Sequence, residues 1–119
     1  MLIAGLGGFL GTCGRYSIVR WCRMIFPTDF PVGTFIVNIL GCLIIGLVFG
    51  YMERVGILNS RLTILLTTGF CGGFTTFSAF ADELVGLGTR HAWCTGIWYL
   101  LLTVVIGIAA VWLGRWLLR

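Results

Sequence analysis

The chain has 119 residues, of which 59% are hydrophobic and 10% charged, and its mean hydropathy is +1.05. Those values exclude an ordinary soluble globular protein, and the length allows about four membrane-spanning helices of roughly 20 residues each. The net charge of +4 comes from single arginines in the short connections between apolar runs, which is typical of membrane-surface anchoring and not of nucleic-acid binding. We expect one transmembrane domain over residues 1–119, anchored in membrane lipid and without a nucleic-acid partner.

The first predicted helix runs from Leu2 to about Cys22 and is rich in glycine in its first half. Its apolar start has no basic n-region, so we expect this segment to be retained and not cleaved as a signal. Gly7 and Gly11 share one helical face and allow another backbone to approach closely. Arg15 lies inside the segment, where an arginine is either functional or a helix-end side chain that snorkels to the headgroups.

The second predicted helix follows a connection that contains Pro27 and Pro31, and it runs from about Pro31 to Tyr51 or Met52. Its anomaly is Asn38, because an amide in hydrocarbon needs hydrogen-bond partners. Asn38 is either an interhelical hydrogen bond that fixes packing or a donor that lines a pore. Thr34 lies four residues earlier and shares its face, which indicates a polar stripe.

The third apolar run contains the stretch from Gly69 to Phe80, with three glycines and two adjacent threonines in mid-run. These residues disfavour a continuous helix, so we predict a break near Gly72 and Gly73. A break at membrane depth leaves backbone N–H and C=O groups without helical partners. Such groups are tolerated only where protein buries them or where they line a polar cavity or an ion site.

Two further features of the third run follow the predicted break. Phe77 and Phe80 share a helical face, and they are either packing aromatics or rings whose positive edges contact a small anion. The run is predicted to end at the acidic pair Asp82 and Glu83, which we expect at a vestibule mouth or interface; the alternative is a role in proton coupling. Residues 86–90 are predicted to form the last loop.

The fourth predicted helix runs from about Ala92 to Leu117 and carries tryptophans near both ends, as a full membrane span does. Tyr99 and Thr103 share one face, and they form either a hydroxyl track or polar side chains satisfied by the backbone. If the spans alternate in direction, the arginines divide too evenly between the two membrane faces to fix one orientation. A chain that inserts both ways can form antiparallel two-fold pairs.

Catalysis is poorly supported by the residue types present. The chain has one histidine and no lysine, so it offers no Ser-His-Asp set and no lysine-containing phosphate loop. We therefore expect that the protein is not an enzyme. The alternative to an ion channel is a small dual-topology multidrug or proton-coupled exporter. Such an exporter needs a membrane-embedded carboxylate, and the first segment has none.

Three stretches of the chain resemble the Fluc/CrcB family of fluoride channels: GGFLGTCGRY at 7–16, PVGTFIVNILG at 31–41 and GFCGGFTTFSAF at 69–80. Their order and spacing match over essentially the whole chain, and the third stretch is the most specific. The resemblance implies an all-α membrane protein with four transmembrane helices per protomer and a broken third helix. It also implies an antiparallel, dual-topology homodimer with two pores, which carries fluoride passively out across the cytoplasmic (inner) membrane and lowers fluoride toxicity.

The same resemblance implies roles for individual residues. The backbone carbonyls of Gly72 and Thr75 would hold a structural sodium ion at the dimer interface, and Phe77 and Phe80 would form an aromatic box. The other implied residues are Asn38, Ser78, Tyr99 and Thr103 along the polar path, Arg15 and Thr34 in the vestibule region, and Glu83 at the end of the third helix. Ala79 and Gly107 stand where many relatives have hydroxyl side chains, so we expect a shorter polar track or a water in place of a hydroxyl.

Overall fold

The computed structural model describes residues 1–26, 28, 30–56 and 61–118, and all regular structure within them is helical. The long helices are α1 (Leu2–Ile25), α2 (Val32–Val55) and α6 (Trp93–Leu118). Between α2 and α6 the chain forms α3 (Arg61–Ile64), the π-helix π1 (Leu65–Cys71), α4 (Gly72–Phe74) and α5 (Phe77–Thr89). With Arg61–Thr89 taken as one span, four helical segments are long and apolar enough to cross a membrane. The predicted all-helical, four-span organisation is confirmed.

The predicted last loop at residues 86–90 is wrong over most of its length. Helix α5 continues through Thr89, and the chain turns at His91, whose φ of 57° is left-handed. We predicted a loop because of the glycines in this stretch, but Gly88 has a packing role: a Cβ there would lie 3.1 Å from the Trp93 ring. Glycine at this position makes room for an indole and does not start a turn. Pro27, in the earlier predicted connection, lies outside the described residues.

Helix α1 lies against π1 and α4 with the backbones in contact. A Cβ on Gly7 would lie 2.4 Å from the carbonyl oxygen of Leu65, and one on Gly11 would lie 2.1 Å from that of Phe70. By contrast, a Cβ on Gly5 of the same helix would meet nothing within 4 Å. The close approach predicted from the spacing of Gly7 and Gly11 is therefore confirmed, and its partner is the π-helical segment.

Helices α2 and α6 form a second tight pair. A Cβ on Gly46 would lie 2.2 Å from the carbonyl oxygen of Val111, so these two backbones also touch. Near the end of the pair the Arg115 guanidinium forms an ion pair with Glu53. Close packing of this kind fixes how the faces of α2 and α6 are turned, and Asn38 and Cys42 of α2 line one groove together with Thr103 of α6.

Two extended residues separate α4 from α5. Thr75 has φ −85° and ψ 157°, and Thr76 has φ −151° and ψ 121°. Our prediction placed the break near Gly72 and Gly73, but both glycines are helical. Gly73 is required for packing, since a Cβ there would lie 2.5 Å from the carbonyl oxygen of Gly8. The adjacent β-branched threonines are the residues that favour extended backbone.

Helix α5 restarts directly after Thr76. The Thr76 hydroxyl accepts a hydrogen bond from the backbone N–H of Ala79 at 3.3 Å, which makes Thr76 the N-cap of α5. The third span therefore contains the end of α4 and the start of α5. The backbone groups at these two helix ends lack helical partners and need other hydrogen bonds.

Candidate ion pathway

Asn38 pairs with both backbone groups of Thr76. Its Nδ2 donates to the Thr76 carbonyl at 3.3 Å, and its Oδ1 accepts from the Thr76 N–H at 2.9 Å. The side-chain amide therefore satisfies two groups that the extended backbone removes from the helix, each of which costs several kcal/mol if left bare in hydrocarbon. Of the two interpretations of Asn38, the interhelical hydrogen bond is present. Asn38 also lines a groove, as the second interpretation requires.

The carbonyl groups at the end of α4 have different partners. The Cys71 carbonyl accepts from the N–H of Thr75 at 2.9 Å and from its hydroxyl at 2.7 Å. The Gly73 carbonyl accepts from Nε of Arg15 at 3.1 Å. The carbonyls of Gly72 and Thr75 accept none of these bonds, and Gly72 is exposed on the protomer surface. A helix end of this kind is a concentration of partial negative charge that suits a cation.

A groove of ≈ 320 Å³ opens beside the extended residues, between α2, α5 and α6. Its lining residues are Asn38, Cys42, Ile45, Thr75, Thr76, Phe77, Phe80, Thr103 and Val104. Four residues predicted to line the pore therefore share the groove with Thr75, one of the two residues predicted to bind the cation, whereas Gly72 and Tyr99 are not among the lining residues. Ser78 is not among the groove residues; it is exposed, and its hydroxyl lies 3.4 Å from that of Thr76.

The two predicted box phenylalanines have different surroundings. Their ring centroids lie 6.0 Å apart with the planes inclined by 50°. Phe80 is 6% exposed and packs edge-to-face with Tyr99 at 4.9 Å, whereas Phe77 is 80% exposed. Phe80 is therefore a packing aromatic as well as a groove residue. Phe77 lines the groove with little packing inside the protomer.

The hydroxyls of Tyr99 and Thr103 are buried, and neither has a hydrogen-bond partner within the described part of the chain. One of the two interpretations of this pair was that backbone groups accept hydrogen bonds from the hydroxyls, and the structure shows no such bonds for Tyr99 or Thr103 within its described residues. The side chains of Thr34 and Glu83 lie near the Tyr99 hydroxyl. A buried hydroxyl without a partner is costly, so this pair indicates a place for water or an ion.

Thr34 and Glu83 meet at a second, smaller cavity. The Thr34 hydroxyl donates to Oε1 of Glu83 at 2.5 Å, and the cavity of ≈ 120 Å³ beside them also contacts Arg23. Glu83 was predicted at the end of the third helix, but α5 continues to Thr89, so that placement is wrong. The sequence pattern presents Gly86 and Gly88 as turn residues, but both are helical, and Gly88 packs against the Trp93 ring.

Arg15 does not share the cavity of Thr34. It lies in a neighbouring groove of ≈ 380 Å³ lined by Tyr16, Val19, Arg20 and Arg23 of the same helix. The two cavities have Val19 and Arg23 in common, so they adjoin. Their combined surface carries arginines next to Thr34, which favours the approach of anions.

Cys42 and Arg23 lie in these cavities although the sequence did not mark them as site residues. Cys42 follows Asn38 by four positions, as Asn38 follows Thr34, so an extension of the polar stripe by one turn would have found it. Its sulfur lies 3.4 Å from where a Cβ on Gly107 would be. The Cys42 thiol therefore lies beside Gly107, the position of α6 where many relatives are expected to have a hydroxyl side chain and this chain has none.

Four apolar spans with polar side chains and unpaired hydroxyls between them define a small multi-pass membrane protein with a polar internal path. Residues 2–115 match the family model described as "CrcB-like protein, Camphor Resistance (CrcB)", and the chain belongs to this family. Three relatives named "Fluoride-specific ion channel FluC" are similar over nearly their full length. That of Flavobacterium psychrophilum is 42% identical over 92% of this chain and 88% of its own. That of Nitratidesulfovibrio vulgaris is 41% identical over 96% and 92%, and that of Phocaeicola vulgatus is 40% identical over 98% and 96%.

Proposed function

We propose that the protein is a fluoride-selective channel that carries fluoride passively out of the cell across the cytoplasmic membrane. The observation that carries this proposal is the pair of buried hydroxyls of Tyr99 and Thr103, which have no hydrogen-bond partner among the described residues. Tyr99 packs against the ring of Phe80, and Thr103 lines the same groove as that ring. We take the identity of the ion from the relatives, which are named as fluoride-specific channels. HF crosses a bilayer unaided and dissociates at cytoplasmic pH, so a passive path for the trapped anion is enough to lower fluoride toxicity.

The chemistry of the groove suits a small, strongly hydrated anion. Hydroxyl groups donate hydrogen bonds to the anion in place of water, and ring edges offer partial positive charge without the tight binding of a full charge. We assign this role to Tyr99, Thr103, Phe77 and Phe80, with Asn38 and the Cys42 thiol completing the wall. Ser78 would contribute from the exposed side of α5.

We propose that two protomers pair in antiparallel orientation. Two residues support this arrangement: Phe77, a groove residue that is 80% exposed in one protomer, and Gly72, the exposed first residue of the short helix α4. A second copy over this surface would cover Phe77 and bring the two α4 ends together. The even spread of arginines between the two membrane faces is what a chain inserted in both orientations needs.

The carbonyls of Gly72 and Thr75 fit a structural sodium ion at this interface. Backbone carbonyl oxygens are hard ligands that suit alkali and alkaline-earth cations, and these two lie outside the hydrogen-bond network of Cys71 and Gly73. When bound, the ion would supply positive charge that offsets the negative ends of both α4 segments. The protein's own part is to hold the two carbonyls in place and to expose Gly72 toward the partner.

Purified protein in liposomes loaded with potassium fluoride is expected to release fluoride when a potassium ionophore provides the counter-current. A fluoride electrode measures the release, and liposomes loaded with potassium chloride test selectivity with a chloride electrode. We expect no chloride release above that of protein-free liposomes. Chloride release at a comparable rate, or no fluoride release from folded protein, would contradict the proposal.

Dual orientation is testable at Cys94, which is exposed close to the start of α6. In a variant with the other four cysteines replaced by serine or alanine, a membrane-impermeant maleimide is expected to label about half of the Cys94 population in intact cells. Permeabilised cells give the full labelling against which that fraction is compared. Labelling of all or none of the Cys94 in intact cells would show a single orientation.

A further inference from the structure

The Arg15 guanidinium lies at the carbonyl end of α4, where the cation site is proposed. Its Nε donates to the Gly73 carbonyl at 3.1 Å, across 58 positions of sequence. The ion pair formed within the described residues joins Arg115 to Glu53, so no described carboxylate neutralises Arg15. A full positive charge is therefore held beside the carbonyls of Gly72 and Thr75.

The hydrogen bond from Arg15 is not needed to hold α4 against α1. Direct backbone contact already does so, because Cβ atoms on Gly11 and Gly73 would lie 2.8 Å from the Phe74 nitrogen and 2.5 Å from the Gly8 oxygen. Removal of the guanidinium leaves those contacts intact. What it changes is the local charge and the number of carbonyl oxygens that are free to bind a cation.

We propose that Arg15 limits both the affinity and the choice of cation at the Gly72–Thr75 carbonyl site. This inference rests on the sodium site of the proposed function. Arg15 acts in two ways: its charge repels a bound cation, and its hydrogen bond withholds the Gly73 carbonyl. With Gly73 withheld, each protomer offers two carbonyls, and a small cation fits such a ligand set better than a larger cation that needs more oxygens.

The two effects can be separated by three substitutions at Arg15. Arg15→Met keeps much of the length and apolar stem but removes both the charge and the donor. Arg15→Gln removes the charge and keeps an amide donor for the Gly73 carbonyl. Arg15→Lys keeps the charge without the planar guanidinium and serves as the control for charge.

The readout is thermal stability of the purified protein in detergent, measured against Na⁺ or K⁺ with choline chloride holding ionic strength constant. Wild-type Tm is expected to rise with Na⁺ and not with K⁺. In Arg15→Met the Na⁺ concentration that gives the half-maximal rise should fall by about tenfold, since a nearby like charge is removed in each protomer. K⁺ should also stabilise this variant, because the Gly73 carbonyl becomes available.

Arg15→Gln is expected to show the lower Na⁺ midpoint without the response to K⁺, and Arg15→Lys is expected to keep the wild-type midpoint. An unchanged or higher Na⁺ midpoint in both Arg15→Met and Arg15→Gln would overturn the proposal. If Arg15→Met does not fold, the comparison of Gln with Lys still decides the role of charge. A wild-type Tm independent of Na⁺ would refute the cation site itself, a result distinct from loss of fluoride release in liposomes.

Discussion

Phe77→Ile is expected to reduce fluoride release from liposomes by tenfold or more while the protein remains folded. An isoleucine fills part of the ring's volume but has no ring edge to present to an anion, and loss of about 1.4 kcal/mol of stabilisation along the path slows passage about tenfold. Because Phe77 is 80% exposed in the protomer, its replacement removes little internal packing. Initial release rates at equal protein density provide the measurement.

Phe9→Ile is the matched control for this substitution. Phe9 is also an exposed phenylalanine, at 67%, but it lies on α1 and does not line the groove. Its replacement should leave the rate unchanged.

Phe80→Ile should slow release as well, with an added loss of stability because Phe80 is buried against Tyr99. Wild-type rates in both the Phe77 and Phe80 variants would remove the ring edges from the mechanism.

Asn38→Leu is expected to prevent accumulation of folded protein. The substitution leaves the N–H and the C=O of Thr76 without the partners they now have at 2.9 and 3.3 Å. At several kcal/mol for each bare group in hydrocarbon, the combined cost is comparable with the whole stability of a typical domain. Yield and monodispersity after detergent extraction measure the effect.

Asn38→Asp separates the two hydrogen bonds. A carboxylate keeps an acceptor for the Thr76 N–H but has no donor for the Thr76 carbonyl, and it adds a negative charge beside the anion path. We expect more folded protein than with Asn38→Leu but strongly reduced fluoride release. Leu40→Val, at an exposed position of the same helix, is the control and should match the wild type. Folded, active Asn38→Leu protein would show that the amide is dispensable.

Hydropathy was sufficient to predict the four spans, and the spacing of Gly7 and Gly11 was sufficient to predict that another backbone packs closely against these two glycines. Both depend on local sequence, because helix length follows membrane thickness and residues four apart share a face. The site of the extended backbone was less predictable. Glycine lowers helix stability, but at Gly73 that cost is outweighed by contact with Gly8, so the extended residues are the threonines that follow.

The partners of the polar residues could not be predicted because they lie far apart in sequence. Asn38 meets Thr76 across 38 positions, and Thr34 meets Glu83 across 49. Sequence patterns identify such side chains as costly in a membrane, but pairing is decided by how the helices are turned against one another. The same holds for Arg15, whose Nε donates to the Gly73 carbonyl on another span, a contact that neither interpretation of this residue specified.

The π-helix Leu65–Cys71 changes the phase of the whole third span. A π-helical turn holds an extra residue compared with an α-helical turn, so it has the geometry of a one-residue insertion accommodated without a loop. Residues on either side of it no longer follow a common 3.6-residue repeat, and a helical wheel drawn from Arg61 to Phe74 assigns faces wrongly by about 100° for each extra residue. Deletion of one residue within 65–71 would turn α4, and the groove residues Thr75 and Thr76 that follow it, relative to Arg61–Ile64 without altering any of their side chains. Chain length in this segment is therefore as much a determinant of the pathway as residue type.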